Sequence, residues 1–187
     1  MSTDKLHAVD SMAAATKYNT TPEDAMVING YYHAVCYDAD GNVKWEEPIH
    51  NLVTTAGQNA TLNTILGDVS AGAVVMGLKG AGTAIAADTQ ASHASWLEVG
   101  LANQPTYSGS RKTPSFNAAA AASKVTTSAV PFAMTGTGTV AGCFINIGGN
   151  SAIDNTTGTL FSAGDFSSSK AVVNGDSIAV TYTLTLT

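Results

Sequence analysis

The final ten residues alternate without interruption between large apolar side chains and small or hydroxyl-bearing ones. Ile178, Val180, Tyr182, Leu184 and Leu186 occupy one set of alternate positions, and an alanine and four threonines occupy the other. A period of two residues places the two sets on opposite faces of a β-strand. Because this strand continues to the last residue, its backbone groups are expected to pair within a sheet.

Tight turns divide much of the remaining sequence into runs of β-forming residues. Asp40-Gly41 separates two such runs, and glycine takes the positive φ of a tight hairpin turn. The Gly-Thr-Gly sequence at 136–138 and the Asn-Gly-Asp sequence at 174–176 separate further runs of this kind. The pattern therefore predicts several short antiparallel strands.

One segment, residues 55–66, has the character of a helix. Thr54 or Thr55 can cap its first turn, and Gly67 follows its last residue, where a glycine commonly ends a helix. The predicted helix has a short apolar face made of Ala56, Ala60, Ile65 and Leu66.

Residues 26–187 are predicted to form a mainly β domain. Residues 84–95 are interpreted as a loop that crosses the surface, and Leu160-Phe161 and Phe166 as apolar residues that flank a polar loop. Short strands, frequent turns and a single helix are typical of an antiparallel β-sandwich or a jelly-roll-like domain.

Residues 1–25 show neither helical periodicity nor strand alternation. Such a segment is either a disordered terminus or an arm that becomes ordered on a partner. We expect an extended arm, and 25 residues at ~3.3 Å each would reach about 80 Å, enough to cross a neighbouring subunit.

Charged residues are scarce, at 12% of the 187 residues, and the formal net charge is −6. Residues 1–50 contain three basic and eight acidic residues, whereas residues 51–187 contain five basic and six acidic ones. Eight scattered basic residues do not form the positive surface that a nucleic-acid-binding protein requires, so no nucleic-acid partner is expected. An almost neutral surface suits close packing against neighbouring proteins, and we expect a homo-oligomer.

No set of residues specifies a catalytic, cofactor-binding or metal site, so the chain is not expected to be an enzyme. The four histidines are isolated, and no Cys-x-x-Cys spacing is present. Glu46-Glu47 could pair with Asp38 or Asp40 as glycosidase carboxylates, but a solvated acidic hairpin is the favoured interpretation. The same hairpin lacks the ligand spacing of a calcium loop.

Trp96, Tyr107 and Arg111 form the one group that could bind a ligand. An aromatic surface with an arginine can bind a sugar or a protein, although aromatic residues on adjacent strands usually fill a core. We favour core packing, with Arg111 and Glu98 as an ion pair.

The compartment is inferred from the cysteines and the first residues. Cys36 and Cys143 each lie in an apolar stretch and are predicted to be buried thiols without a disulfide. The first residues lack the features of a signal peptide, and no apolar run is long enough for a membrane span. Synthesis in the cytoplasm, without a membrane partner, is therefore expected.

Several sequence stretches resemble small structural proteins of tailed bacteriophages. The resemblance rests on residues 38–47 (DADGNVKWEE), 50–57 (HNLVTTAG), 77–80, 87–89, 96–98, 158–161 and 174–183. It covers most of residues 30–187 and none of residues 1–25.

The resemblance implies a virion structural protein. Within virions it leaves two roles, and composition favours a capsid cement or decoration protein on the outer surface of the head, which binds across joints between major capsid subunits and stabilises the DNA-filled shell. A tail, neck or fibre-associated component is the alternative. A carbohydrate-binding module that uses Trp96 and Tyr107 is a third hypothesis, drawn from the aromatic residues alone.

Overall fold

Nine β-strands and one α-helix form the regular structure of residues 26–67 and 71–187, which are the residues that the computed structural model describes. The predicted arm, residues 1–25, lies outside them. The elements are β1 (Ile28–Tyr37), β2 (Val43–Val53), α1 (Thr55–Ile65), β3 (Val74–Lys79), β4 (Glu98–Val99), β5 (Ser123–Val125), β6 (Val130–Ala133), β7 (Gly138–Ile147), β8 (Thr159–Val172) and β9 (Ser177–Leu186).

The strands form one curled antiparallel sheet in the order β4-β3-β7-β8-β2-β1-β9-β5, and β6 also pairs with β9. The curl folds the sheet into two facing layers, and the strand β2 takes part in both. Its residues 43–50 pair with β1, whereas residues 51–53 pair with β8. This arrangement confirms the predicted mainly antiparallel, β-sandwich-like domain with a single short helix.

The main core lies between the two layers and contains the large apolar residues that the alternation of β9 predicted. Ile178, Val180 and Tyr182 are buried, and the ring of Tyr182 lies 4.7 Å from that of Tyr32 on the adjacent strand β1. Strand pairing begins where Val27 and Thr187 exchange backbone hydrogen bonds of 2.6 and 3.0 Å. The last predicted strand is therefore an interior strand, held on both sides.

A second, smaller apolar cluster lies beneath the segment between β3 and β4. Trp96 from this segment packs with Phe144, Leu160 and Ala163, which belong to β7 and β8. Along β7, Cys143 and Ile145 face the main core while Phe144 faces this cluster, so both faces of the strand are covered. Ala84, the first residue of the predicted surface loop, also belongs to this cluster, so the segment between β3 and β4 covers one layer of the sheet.

The helix α1 has the predicted caps, and the apolar residues named in the prediction differ in exposure. The side chain of Thr54 accepts a hydrogen bond from the backbone of Gly57, and Gly67 adopts a positive φ of 82° after the last turn. Gly57 is the buried residue of the helix, whereas Ile65 and Leu66 are 59% and 78% exposed. The helix contacts the sheet through its small residues, so Ile65 and Leu66 of the predicted apolar face remain exposed.

The predicted polar loop near Phe166 is part of the long strand β8. Leu160, Phe161 and Phe166 are all buried, and residues 162–165 pair with β7. The pairing is irregular farther along, since Gly142 pairs with Asp165 but Val140 pairs with Lys170. Polar composition was misleading here because the strand continues through an irregularity that leaves Ser167, Ser168 and Ser169 exposed.

Candidate functional site

The predicted ion pair between Arg111 and Glu98 is present and deeply buried. The guanidinium Nε lies 2.8 Å from Oε1 of Glu98, and Nη2 lies 2.6 Å from Oε2. The two side chains are 0% and 2% exposed. Two parallel hydrogen bonds between opposite charges fix both the distance and the orientation of the two groups.

This ion pair also binds the segment between β7 and β8. Arg111 Nη2 donates to the backbone oxygen of Asn155 at 2.7 Å, and the backbone nitrogen of Asp154 donates to Glu98 Oε2 at 2.9 Å. The pair therefore joins β4, the segment before β5 and the loop before β8. Because every one of these bonds lies inside the domain, the arginine is a structural group and does not face a ligand.

The rings of Trp96 and Tyr107 are buried, as the core interpretation predicted, with 1% and 3% of their surface exposed. The indole nitrogen of Trp96 donates a hydrogen bond to the Asp88 carboxylate at 2.9 Å. The ring of His93 stacks on the ring of Trp96, with 3.9 Å between the ring centroids. The ring of Tyr107 meets Phe132 edge-on, and burial raises the pKa of its hydroxyl. Neither aromatic face is available for stacking on a sugar.

Two further ion pairs, each with one buried partner, were not predicted. Lys79, at the end of β3, has no exposed side-chain surface and pairs with Asp165, while its Nζ also donates to the backbone oxygen of Gly82 at 2.6 Å. Lys44 Nζ lies 2.5 Å from Asp176, whose side chain is 1% exposed. For the Lys79–Asp165 pair, the only signal in the local sequence was a lysine that directly follows the apolar run of β3.

The acidic hairpin between β1 and β2 does not assemble a carboxylate pair. Glu46 bonds His33 at 2.7 Å, and Glu47 bonds Lys170 at 2.6 Å. Asp38 accepts backbone hydrogen bonds within the turn, and its bonds to Asn42 lower the pKa of its carboxyl. Among the described residues, no group of three or more His, Cys, Asp or Glu side chains could hold a metal ion.

The two cysteines are free and buried, as predicted. Burial raises the pKa of the Cys36 thiol to about 11 and that of the Cys143 thiol to about 12. Since the thiolate is the reactive form, both groups are chemically quiet at neutral pH.

Most charged side chains of the described residues are turned at least partly away from solvent. Fifteen of these residues are Asp, Glu, Lys or Arg, and five are exposed: Asp40, Lys44, Glu46, Lys124 and Asp154. Five others are buried: Lys79, Asp88, Glu98, Arg111 and Asp176. Charged residues are scarce in the sequence, and only a third of those in the described residues are exposed on the surface.

Small uncharged residues form an exposed hairpin tip before β5. Ala118 to Ala122 are all exposed, and Ala120 and Ser123 exchange two backbone hydrogen bonds of 2.9 Å. The two residues between them, Ala121 and Ala122, have φ angles of 48° and 54°. Both central residues of a type I′ turn need a positive φ, which is unfavourable for alanine.

An apolar groove of about 490 Å³ lies between α1 and the strands β5 and β9. Its helical wall includes Thr64 and Ile65, and the facing wall includes Phe116 and Leu184. Among the described residues that line it, Lys124 is the one charged side chain. Sequence reasoning missed the groove because its walls come from strands and a helix that are far apart in the chain.

Comparisons with protein-family models, with curated proteins and with solved structures found no match to this chain. In the part of the chain that the structure describes, no helix is long and apolar enough to cross a membrane.

Proposed function

We propose that this chain is a structural protein of a tailed-bacteriophage virion, and specifically a capsid cement protein. It binds the major capsid protein on the outer surface of the head, lies across joints between capsid subunits and stabilises the DNA-filled shell. The sequence resemblance motivates the class of protein, and the surface of the domain supports the role within that class.

The observation that carries the proposal is the inward placement of the charged side chains. Three of the five exposed charged residues lie in or beside the β1–β2 turn, so elsewhere on the described surface Lys124 and Asp154 are the exposed charged residues, and the others there are half-buried or buried. A surface with so few charges has little electrostatic repulsion to keep copies or partners apart. It can be covered without removing many ions from water, a step that costs several kcal/mol per unpaired ion.

Exposed small residues supply contact surfaces that are likewise uncharged. The Ala118–Ala122 hairpin tip and the serines at 167–169 offer close approach and hydrogen bonds without long side chains that must be ordered. Ordering a long polar side chain costs up to about 2 kcal/mol, whereas alanine costs nothing. Many weak contacts of this kind, repeated over a shell, give firm attachment through avidity.

Copy number in purified virions tests the proposal. A cement protein is present at a ratio near one copy, or a small fraction of one, per major capsid subunit, and so at hundreds of copies per particle. A ratio corresponding to roughly a dozen copies or fewer, as expected for a symmetric ring, would instead assign the chain to the tail, neck or fibre. Quantitative mass spectrometry against the major capsid protein separates the two outcomes.

Retention at high salt provides a second test. Ionic strength of 1 M reduces the Debye length to about 3 Å and weakens contacts between exposed charges. Because the proposed contacts are uncharged, we expect equal retention on isolated heads at 0.1 and 1 M NaCl. A release of most of the protein at the higher salt concentration would contradict the proposed contact chemistry.

A further inference from the structure

Several side chains on the elements that form or adjoin the apolar groove between α1 and the strands β5 and β9 are apolar and exposed. On the helix, Leu62, Ile65 and Leu66 are 49%, 59% and 78% exposed. Just before β1 and at the paired end of β9, Met26 and Leu186 are 52% and 39% exposed. A contiguous apolar surface beside a groove marks a binding site more often than scattered exposed apolar residues do.

The chain enters the described domain next to this groove. Val27 pairs with Thr187 and Ile28 with Leu186, and Leu184, two residues farther along β9, lines the groove. With ~3.3 Å per residue along a strand and ~4.8 Å between strands, Val27 lies about 11 Å from the Leu184 backbone. Whatever precedes Met26 therefore starts within a short distance of the groove.

The sequence that precedes Met26 has a stretch of suitable composition. Residues 6–15 (LHAVDSMAAA) contain Leu6, Val9 and Met12 with several alanines, and Asp10 is their one charged residue. The groove also has one charged residue among its described walls, the oppositely charged Lys124. An extended link from residue 15 to residue 26 spans up to about 36 Å, several times the distance required.

We propose that residues 6–15 dock into this groove within the same copy of the chain, with apolar side chains in the groove and Asp10 towards Lys124. A short connection between two groups gives an effective concentration in the millimolar range, so docking within one copy precedes docking between copies in dilute solution. The inference concerns the isolated protein and does not depend on the proposed function.

Disulfide trapping in the full-length chain tests this docking. The chain carries no exposed thiol among its described residues, since Cys36 and Cys143 are buried. Thr64 is exposed on the helical wall of the groove, so Thr64→Cys provides a reactive position without disturbing the core. It is combined in turn with Leu6→Cys, Val9→Cys and Met12→Cys.

The control for each pair replaces Thr64→Cys by Ser168→Cys. Ser168 is also exposed but lies on β8 nine residues from the groove residue Thr159, or about 30 Å along the strand at ~3.3 Å per residue. The connecting segment can reach both positions, but the shorter span alone favours the nearer one. Docking is therefore reported by the part of the rate difference that Lys124→Glu removes, and a difference that this substitution leaves unchanged reports reach alone.

We expect at least one pair with Thr64→Cys to form an intrachain disulfide more than tenfold faster than its control under mild oxidation at micromolar protein concentration. Adding Lys124→Glu should slow that reaction by reversing the attraction to Asp10. Equal rates at the two positions would overturn the proposal. Disulfides that form mainly between chains would also overturn it and would assign the groove to a second copy.

Discussion

Replacement of Glu98 by glutamine removes one charge from a buried ion pair while it preserves the size of the side chain. In the native pair, both carboxylate oxygens accept hydrogen bonds, and Oε2 accepts from Asp154 as well as from Arg111. A glutamine amide must place its NH₂ group against at least one of these donors. The substitution therefore leaves a buried arginine without a countercharge and also creates a donor–donor contact.

The expected cost follows from the burial of both partners. Removing one partner of a buried pair typically costs 3–5 kcal/mol, because the other charge remains unpaired away from water. For a domain of this size, about 2–4 °C is lost per kcal/mol, so Glu98→Gln should lower the Tm by about 6–20 °C. Urea unfolding, followed by the fluorescence of Trp45 and Trp96, measures the free energy directly.

Two controls separate charge from size and position. Glu46→Gln breaks the exposed pair with His33 and should cost no more than about 1 kcal/mol. The double substitution Glu98→Leu with Arg111→Met removes both charges and should be less destabilising than Glu98→Gln alone. If Glu98→Gln costs no more than Glu46→Gln, the reasoning about the buried pair is refuted.

Three further predictions concern the hairpin tip, the helix and the thiols. Ala121→Asn with Ala122→Gly should raise the free energy of unfolding by about 1–2 kcal/mol, because these residues accept a positive φ; an unchanged urea midpoint would contradict the strain. Thr54→Ala should lower it by about 1–2 kcal/mol through loss of the helix cap, whereas a loss below 0.3 kcal/mol, roughly, would show that the cap is unimportant. Iodoacetamide at pH 8 should label Cys36 and Cys143 at least ~100-fold more slowly in the native protein than in urea; comparable rates would contradict the raised pKa values.

Local patterns in the sequence were sufficient to predict the elements whose physics is local. The alternation along β9, the Asp40-Gly41 turn and the cap at Thr54 each depend on neighbours within a few residues, and all three are present. The Arg111–Glu98 pair was also predictable, since two opposite charges lay 13 residues apart in otherwise uncharged sequence.

Features built from distant residues could not be predicted in this way. Lys79 and Asp165 are 86 residues apart, and nothing near either one specifies the other. The long strand β8 contains serines and an aspartate that resemble a loop, and the pairing with β7 decides their conformation. The groove is likewise a product of the curl of the sheet, and so it becomes visible only when α1 and β9 are placed together.

The position of β1 has a mechanical consequence for any load that reaches the domain through residues before Met26. This strand is paired along ten positions with β9 and along seven with β2, one partner on each side. Tension along the strand would strain both rows of hydrogen bonds in shear, so that they must fail together and not one after another. The chain thus enters the domain at a point suited to bear sustained pull.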